Sequence, residues 1–229
     1  TDNTKINAPL NSQHEVVFLP LNDIASLEKE LSKKDVAAVI IEGIQGVGGL
    51  NEGSTEFFQS LEKLCRQYGA ILILDEIQSG YGRSGKFFSF QHHGIHPDII
   101  SMAKGMGNGF PVGGILISNK IEASYGLLGT TFGGNHLACA AAISVLDVIE
   151  KEQLMENVTK VSSHFLKRIK EIDQIRSVKG KGLMLGVTFD FPVAQIRKQL
   201  IFEEGIFTGG SADPTLLRIL PPLSVGTEE

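Results

Sequence analysis

Two short apolar runs constrain this chain more than anything else in it. Val36-Ala-Ala-Val-Ile-Ile41 and Ala70-Ile-Leu-Ile-Leu74 contain no polar residue. A strand with one wet face alternates polar and apolar residues, so these runs fit strands buried on both faces. Between them, Thr55 to Tyr68 carries Phe57, Leu61, Leu64 and Cys65 at helical spacing, and Gly69 is placed to stop the helix. Strand, helix and strand with short connections predict an α/β fold whose sheet is largely parallel.

The same reading extends along the chain. Val16 to Leu19 is expected to be a short strand, and Asp23 to Lys34 a helix with Asp23 as its N-cap. Asp98 to Ser101 and Gly114 to Ser118 are further strand candidates. From Asn135 the character changes: an alanine-rich helix runs to Lys151 and a second runs from Glu152 to Ile172. Then Gly182 to Phe189 reads as a strand, Ala194 to Glu204 as a helix and Leu216 to Leu220 as a strand closed by Pro221-Pro222. This divides the chain into a larger α/β portion, residues 1–150, and a smaller α+β portion, residues 151–229.

Composition removes several classes of function. A net charge of -5 with no basic run argues against a nucleic-acid partner. No apolar stretch approaches the ~18 residues that a membrane span needs, and no signal peptide is expected. Cys65 and Cys139 lie far apart in helical segments and read as reduced thiols, so a cytoplasmic location is expected. Fifteen of the 26 glycines gather at 43–53, 80–85, 105–114 and 133–134, as if several turns converged on a ligand.

The chemistry concentrates in two places. The run ending at Leu74 passes abruptly into Asp75-Glu76-Ile77-Gln78, which puts a buried-looking carboxylate, Asp75, at the end of a strand. Downstream, Lys104 sits alone in the glycine-rich stretch Ser101-Met-Ala-Lys104-Gly-Met-Gly-Asn-Gly-Phe-Pro-Val-Gly-Gly114. A lysine in a flexible turn forms a Schiff base with an aldehyde cofactor, and a strand-end carboxylate holds a proton on that cofactor's pyridine nitrogen. Taken singly, Asp75 is as well read as a helix cap or surface turn, and Lys104 as a solvated lysine. Their conjunction, with the Pro97-Asp98-Ile-Ile100 run and the glycines between, favours the chemical reading.

Nucleotide motifs fit less well. Ile71 to Glu76 resembles a Walker B strand, and Gly80-Tyr-Gly-Arg-Ser-Gly85-Lys86 nearly completes a phosphate loop. Position 87 is Phe, however, so the Mg²⁺-ligating hydroxyl is missing. The loop also starts five residues after Asp75, with no separate strand before it. Gly180-Lys-Gly182-Leu-Met-Leu-Gly186 lacks the strand-turn-helix setting of a dinucleotide fingerprint.

Four segments stand in a distinctive order and spacing: Ile41-Glu42-Gly-Ile-Gln45-Gly46, Leu74-Asp75-Glu76-Ile77-Gln78, Ala103-Lys104-Gly105 and Thr130-Thr131-Phe-Gly-Gly-Asn135. With them, the whole chain resembles the class III pyridoxal-phosphate-dependent aminotransferases of fold type I. Within that class it is most similar to the acetylornithine and succinylornithine aminotransferases. The resemblance implies pyridoxal 5'-phosphate as cofactor, Lys104 as the Schiff-base lysine and Asp75 on the pyridinium nitrogen. It further implies Ile77 on one ring face and Gln78 on the ring hydroxyl. Thr131 would reach the cofactor phosphate of a neighbouring subunit, in a homodimer with shared active sites. Arg218 would bind a substrate carboxylate, with Glu42 and Gln45 near the substrate. The implied reaction moves the terminal amine of an N-acylornithine to 2-oxoglutarate, in arginine biosynthesis. Other terminal amines, free ornithine or 4-aminobutyrate, are alternatives, as is a catalytically inactive fragment.

The chain departs from the family pattern at Val47, where many relatives carry a glutamate that pairs with the arginine matching Arg218. The family's opening portion, with its phosphate-binding turn and a stacking aromatic, and its final helix have no counterpart here. The resemblance therefore implies a truncated chain, expected not to transaminate alone.

Overall fold

The computed structural model describes residues 15–229. Two sheets organise it. The first has strands β1 (Ala38–Glu42), β2 (Ile71–Asp75), β3 (Ile99–Met102) and β4 (Gly114–Ile117), in that spatial order. β1, β2 and β3 are parallel and β4 runs antiparallel to β3. Helices α1 (Ile24–Leu31) and α2 (Thr55–Tyr68) precede β1 and β2. A long pair, α3 (His136–Lys151) and α4 (Leu154–Arg168), leads to the second sheet. There β5 (Ser177–Lys181), β6 (Met184–Thr188) and β7 (Leu216–Ile219) are all antiparallel, with α5 (Ala194–Phe202) between β6 and β7.

Helix boundaries follow local chemistry. Asp23 Oδ1 accepts the Ser26 N–H at 3.0 Å, and Ser54 Oγ accepts the Phe57 N–H at 3.0 Å. Asn135 Oδ1 does the same for Ala138 at 3.0 Å. Each satisfies one donor that the first helical turn leaves free. Gly69 ends α2 at φ 77°, a left-handed conformation that glycine adopts without a Cβ penalty. Gln153, at φ 50°, breaks what the sequence presents as nearly continuous helix between α3 and α4.

The main core lies between α1, α2 and one face of the first sheet. Leu27, Leu31, Phe57, Phe58, Leu61, Leu64, Leu72 and Leu74 are buried there, with Val39 and Ile41 packed against them. Even-numbered residues of β2 enter this core and odd-numbered ones face the other way, as strand alternation requires. The opposite face is only partly covered: Ile40 of β1 is 66% exposed, Ile71 and Ile73 of β2 are half-buried, and Ile115 and Ile117 of β4 are exposed. The expectation that the 36–41 run is buried on both faces is therefore corrected. β1 is an edge strand with helices on one side only. Val16 to Leu19 forms no strand, because no sheet edge pairs with it and its side chains lie exposed.

The two sheets are tied at a few points. Gly180 (φ 91°) and Gly182 (φ 57°) shape the tight β5–β6 hairpin. These glycines make a turn and no nucleotide loop. Leu183 N–H donates to Arg83 O at 3.0 Å, and Arg83 returns a guanidinium hydrogen bond to Leu183 O at 3.2 Å. A Cβ at Gly182 would lie 2.5 Å from the Ser84 carbonyl carbon and 2.6 Å from Arg83 O. Both are backbone atoms that cannot swing aside, and the positive φ adds strain. Gly182→Ala is expected to cost about 3 kcal/mol of stability. A denaturant midpoint within error of wild type would reject this.

Candidate active site

The parallel strands β1, β2 and β3 end side by side, and Glu42, Asp75, Ile77, Gln78 and Lys104 lie at or just beyond those ends. Glu42 is the register partner of Asp75, and Asp75 of Ser101. Functional groups gather at the carboxyl ends of parallel strands because helix and loop starts converge there.

Asp75 continues the odd-numbered face of β2 and stays half-buried, while Glu76 continues the core face and is 1% exposed. The fully buried carboxylate is thus Glu76, which corrects the expectation for Asp75. Glu76 accepts hydrogen bonds from Ser79 Oγ at 2.8 Å, Ser89 N–H at 2.9 Å, Ser89 Oγ at 2.8 Å and Phe90 N–H at 3.0 Å. A carboxylate spending both oxygens on four donors is a brace and is not available to a ligand. It ties the turn after β2 to the 89–92 turn. Asp75 spends only Oδ1, on the Ile77 N–H at 3.0 Å. Its other oxygen carries no hydrogen bond among the described residues.

Lys104 opens a short 3-10 turn after β3 with φ 46°, a left-handed conformation unusual for a side chain of this size. Its carbonyl accepts from the Gly107 and Asn108 N–H groups, both at 3.1 Å. Next to it, Gly105 packs on Tyr81, whose Cβ would be 3.3 Å from an added Cβ. The Lys104 side chain is exposed, and among the described residues its amine has neither a hydrogen bond nor an ion pair. Ser101 Oγ is buried without a partner among the described residues. Ser101 and Glu76 went unnoticed as site-forming residues from sequence. The alternation through Leu72 and Leu74 was the signal for Glu76.

Arg218 arrives from the second sheet. Its Nη1 donates to Gly46 O at 3.1 Å, a contact spanning 172 positions. Gly46 is also the centre for two other candidates. Its N–H donates to Glu42 Oε2 at 2.8 Å, and a Cβ there would overlap the Gln78 side-chain amide. Glu42, Gln78 and Arg218 are therefore gathered around one glycine. Gln45 goes elsewhere: it lines an open cleft of about 560 Å³ with Asn22, Asn51, Glu52 and Lys179. Thr131 lies on an exposed loop and has no hydrogen bond to the other candidates. Val47 is 58% exposed, with its carbonyl accepting the Ala212 N–H at 3.1 Å.

The family description "Aminotransferase class-III" matches residues 2–229. The chain belongs to the class-III aminotransferases. Among curated relatives of this family member, the acetylornithine aminotransferase of Bacillus subtilis (strain 168) is 40% identical over 218 residues, covering 93% of this chain and 56% of the relative. That of Methanocaldococcus jannaschii is 38% identical over 217 residues, covering 92% and 54%. The chain spans about half the length of the curated relatives it matches. Among solved structures, Plasmodium falciparum ornithine delta-aminotransferase is 34% identical with a TM-score of 0.84, covering 93% of this chain and 57% of that one. The acetylornithine aminotransferase of Elizabethkingia anophelis is 32% identical with a TM-score of 0.80, covering 93% and 56%. The fold is that of fold type I aminotransferases, as the sequence resemblance implied. Among the described residues no helix is long and apolar enough to cross a membrane.

Proposed function

We propose that the protein containing this chain is a pyridoxal-phosphate-dependent aminotransferase that moves the terminal amine of an N-acylornithine to 2-oxoglutarate. The observation that carries the reading is that Lys104, whose amine has no partner among the described residues, opens the turn after β3, while Asp75, with one oxygen uncommitted among them, ends the neighbouring β2.

The residues present fit the cofactor. A lysine with no partner among the described residues can carry an aldehyde, Asp75 has an oxygen to spare, and the buried Ser101 hydroxyl has no partner among those residues. When bound, pyridoxal phosphate supplies an aldehyde for imine exchange and a protonated pyridine ring that draws electrons from the substrate carbon. The chain's own residues do the rest. Asp75 keeps the ring nitrogen protonated, because a carboxylate beside a cation favours its charged form. Ile77 would cover a ring face and Gln78 would hold the ring hydroxyl. Lys104 Nζ, once freed, takes and returns the proton at the substrate carbon. Arg218 offers planar bidentate binding to a carboxylate, which a lysine could not. Glu42 braces the Gly46 turn against which Arg218 lies, and Gln45 belongs to the wall of the neighbouring cleft.

The further readings extend this one. Residues 1–150 form the cofactor-binding portion and 151–229 the smaller portion carrying Arg218. The enzyme acts as a homodimer in the cytoplasm, with Thr131 contributed to a neighbour's phosphate site. Support for the dimer is the exposure of Thr131 and of apolar side chains on β4 and α3, including Ile115, Leu116, Leu137 and Ile143. N-acylornithine is preferred over free ornithine because identity reaches 40% with acetylornithine enzymes. The higher TM-score to ornithine aminotransferases favours the second reading, free ornithine, on backbone geometry alone. Profiling both amines with 2-oxoglutarate separates the two, and turnover of ornithine above acetylornithine would overturn the first.

Arg218→Ala is expected to lower kcat/KM roughly 10–100-fold, the scale of one lost charge-assisted pair. The cofactor's absorbance should not change. Unaltered kinetics with both substrates would remove Arg218 from the site.

A further inference from the structure

A second arginine stands behind Arg218. Gly209 forms an antiparallel bridge to Arg218, with Gly209 N–H donating to Arg218 O at 2.9 Å and Arg218 N–H to Gly209 O at 3.0 Å. Gly209 is also the surface on which the Arg218 side chain lies. A Cβ there would fall 3.1 Å from Nε and 3.3 Å from Nη2. On an extended segment the next residue faces the other way. Accordingly, a Cβ at Gly210 would fall 2.8 Å from Nη1 of Arg197, on α5. The two guanidinium groups therefore sandwich a strip of two glycines.

The strip has few other ties. Arg197 Nη2 donates to Thr208 O at 3.2 Å, and Ala212 N–H donates to Val47 O at 3.1 Å. Among the described residues the Nε atoms of both arginines and Thr208 Oγ1 are buried without a partner, so these hydrogen-bonding groups do little to lock the arrangement. Neither arginine forms a salt bridge among the described residues. Packing on the strip and one carbonyl apiece, Thr208 O for Arg197 and Gly46 O for Arg218, set their positions.

We propose that Arg197 is a positioning residue for Arg218: it clamps residues 208–210 from behind and so fixes the guanidinium that receives the substrate carboxylate. This rests on the assignment of Arg218 to that carboxylate. Arg197 does not touch substrate itself. Removing it lets the strip retreat and leaves Arg218 with its charge but without its backing.

The test is a double-mutant cycle read by calorimetric titration of 2-oxoglutarate into the purified, cofactor-loaded protein, with no turnover needed. Arg197→Met should weaken binding roughly tenfold, about 1.4 kcal/mol, with cofactor absorbance unchanged. Arg197→Lys, which keeps a donor for Thr208 O, should recover most of that loss. In an Arg218→Met background, Arg197→Met should add nothing, because its effect passes through Arg218. A full further tenfold loss in that background would overturn the proposal, as would unchanged affinity in Arg197→Met alone. Unchanged affinity in Arg218→Met would remove the carboxylate assignment, and the proposal with it. If Arg197→Met fails to fold, Gly210→Ala, which pushes on Arg197 from the strip, carries the same cycle.

Discussion

Lys104→Ala in the cofactor-loaded protein is expected to lose transamination by roughly 10²–10⁴-fold or more, and to lose the visible absorbance of a lysine-bound cofactor. Two functions disappear with one amine: covalent retention of the aldehyde, and proton transfer at the substrate carbon. The fold should survive. The side chain is exposed and unpaired, and alanine meets the same left-handed φ that lysine already tolerates. Borohydride reduction of the wild type followed by peptide mapping is the sharper measurement. The label should fall on Lys104. A label on another lysine, with Lys104 unmodified, would reject the assignment whatever the kinetics of the alanine variant.

Much of this was legible in the sequence because the first sheet is built locally. Ala70 to Leu74 carries its own strand pattern, Ser54 and Gly69 mark both ends of α2, and Lys104 is placed by the turn after β3. Features that depend on distant partners were not legible. Val16 to Leu19 has strand composition but no edge to pair with. Ile40 looks buried, but the helices cover only the Val39 and Ile41 face of β1. β5 was missed because Ser177-Val-Lys-Gly-Lys181 has one apolar residue, and its pairing with β6 comes from a hairpin set by Gly180 and Gly182. The contact of Arg218 with Gly46 joins residues whose proximity no local pattern encodes.

The adjacent acids of β2 show how little separates a brace from a reagent. Alternation sends Glu76 into four hydrogen bonds and leaves Asp75 with one, from its own turn. Asp75→Asn keeps that acceptor, Oδ1, for the Ile77 N–H, so the turn should stay folded. What it loses is the negative charge that holds a proton on the ring nitrogen. With the ring neutral, electrons released at the substrate carbon have no favourable destination, and the proton transfer assigned to Lys104 slows. The expected loss in kcat is about 10²-fold or more, the scale of one preorganised electrostatic group. Cofactor content, measured by absorbance after denaturation, should fall far less than kcat, because Lys104 still holds the aldehyde. Glu76→Gln is the matched control. It places an amide N–H₂ against donors already committed to the carboxylate, so it should lower the unfolding midpoint before it lowers turnover per folded molecule. Wild-type turnover in Asp75→Asn, or a stability loss there as large as in Glu76→Gln, would make Asp75 a second structural acid.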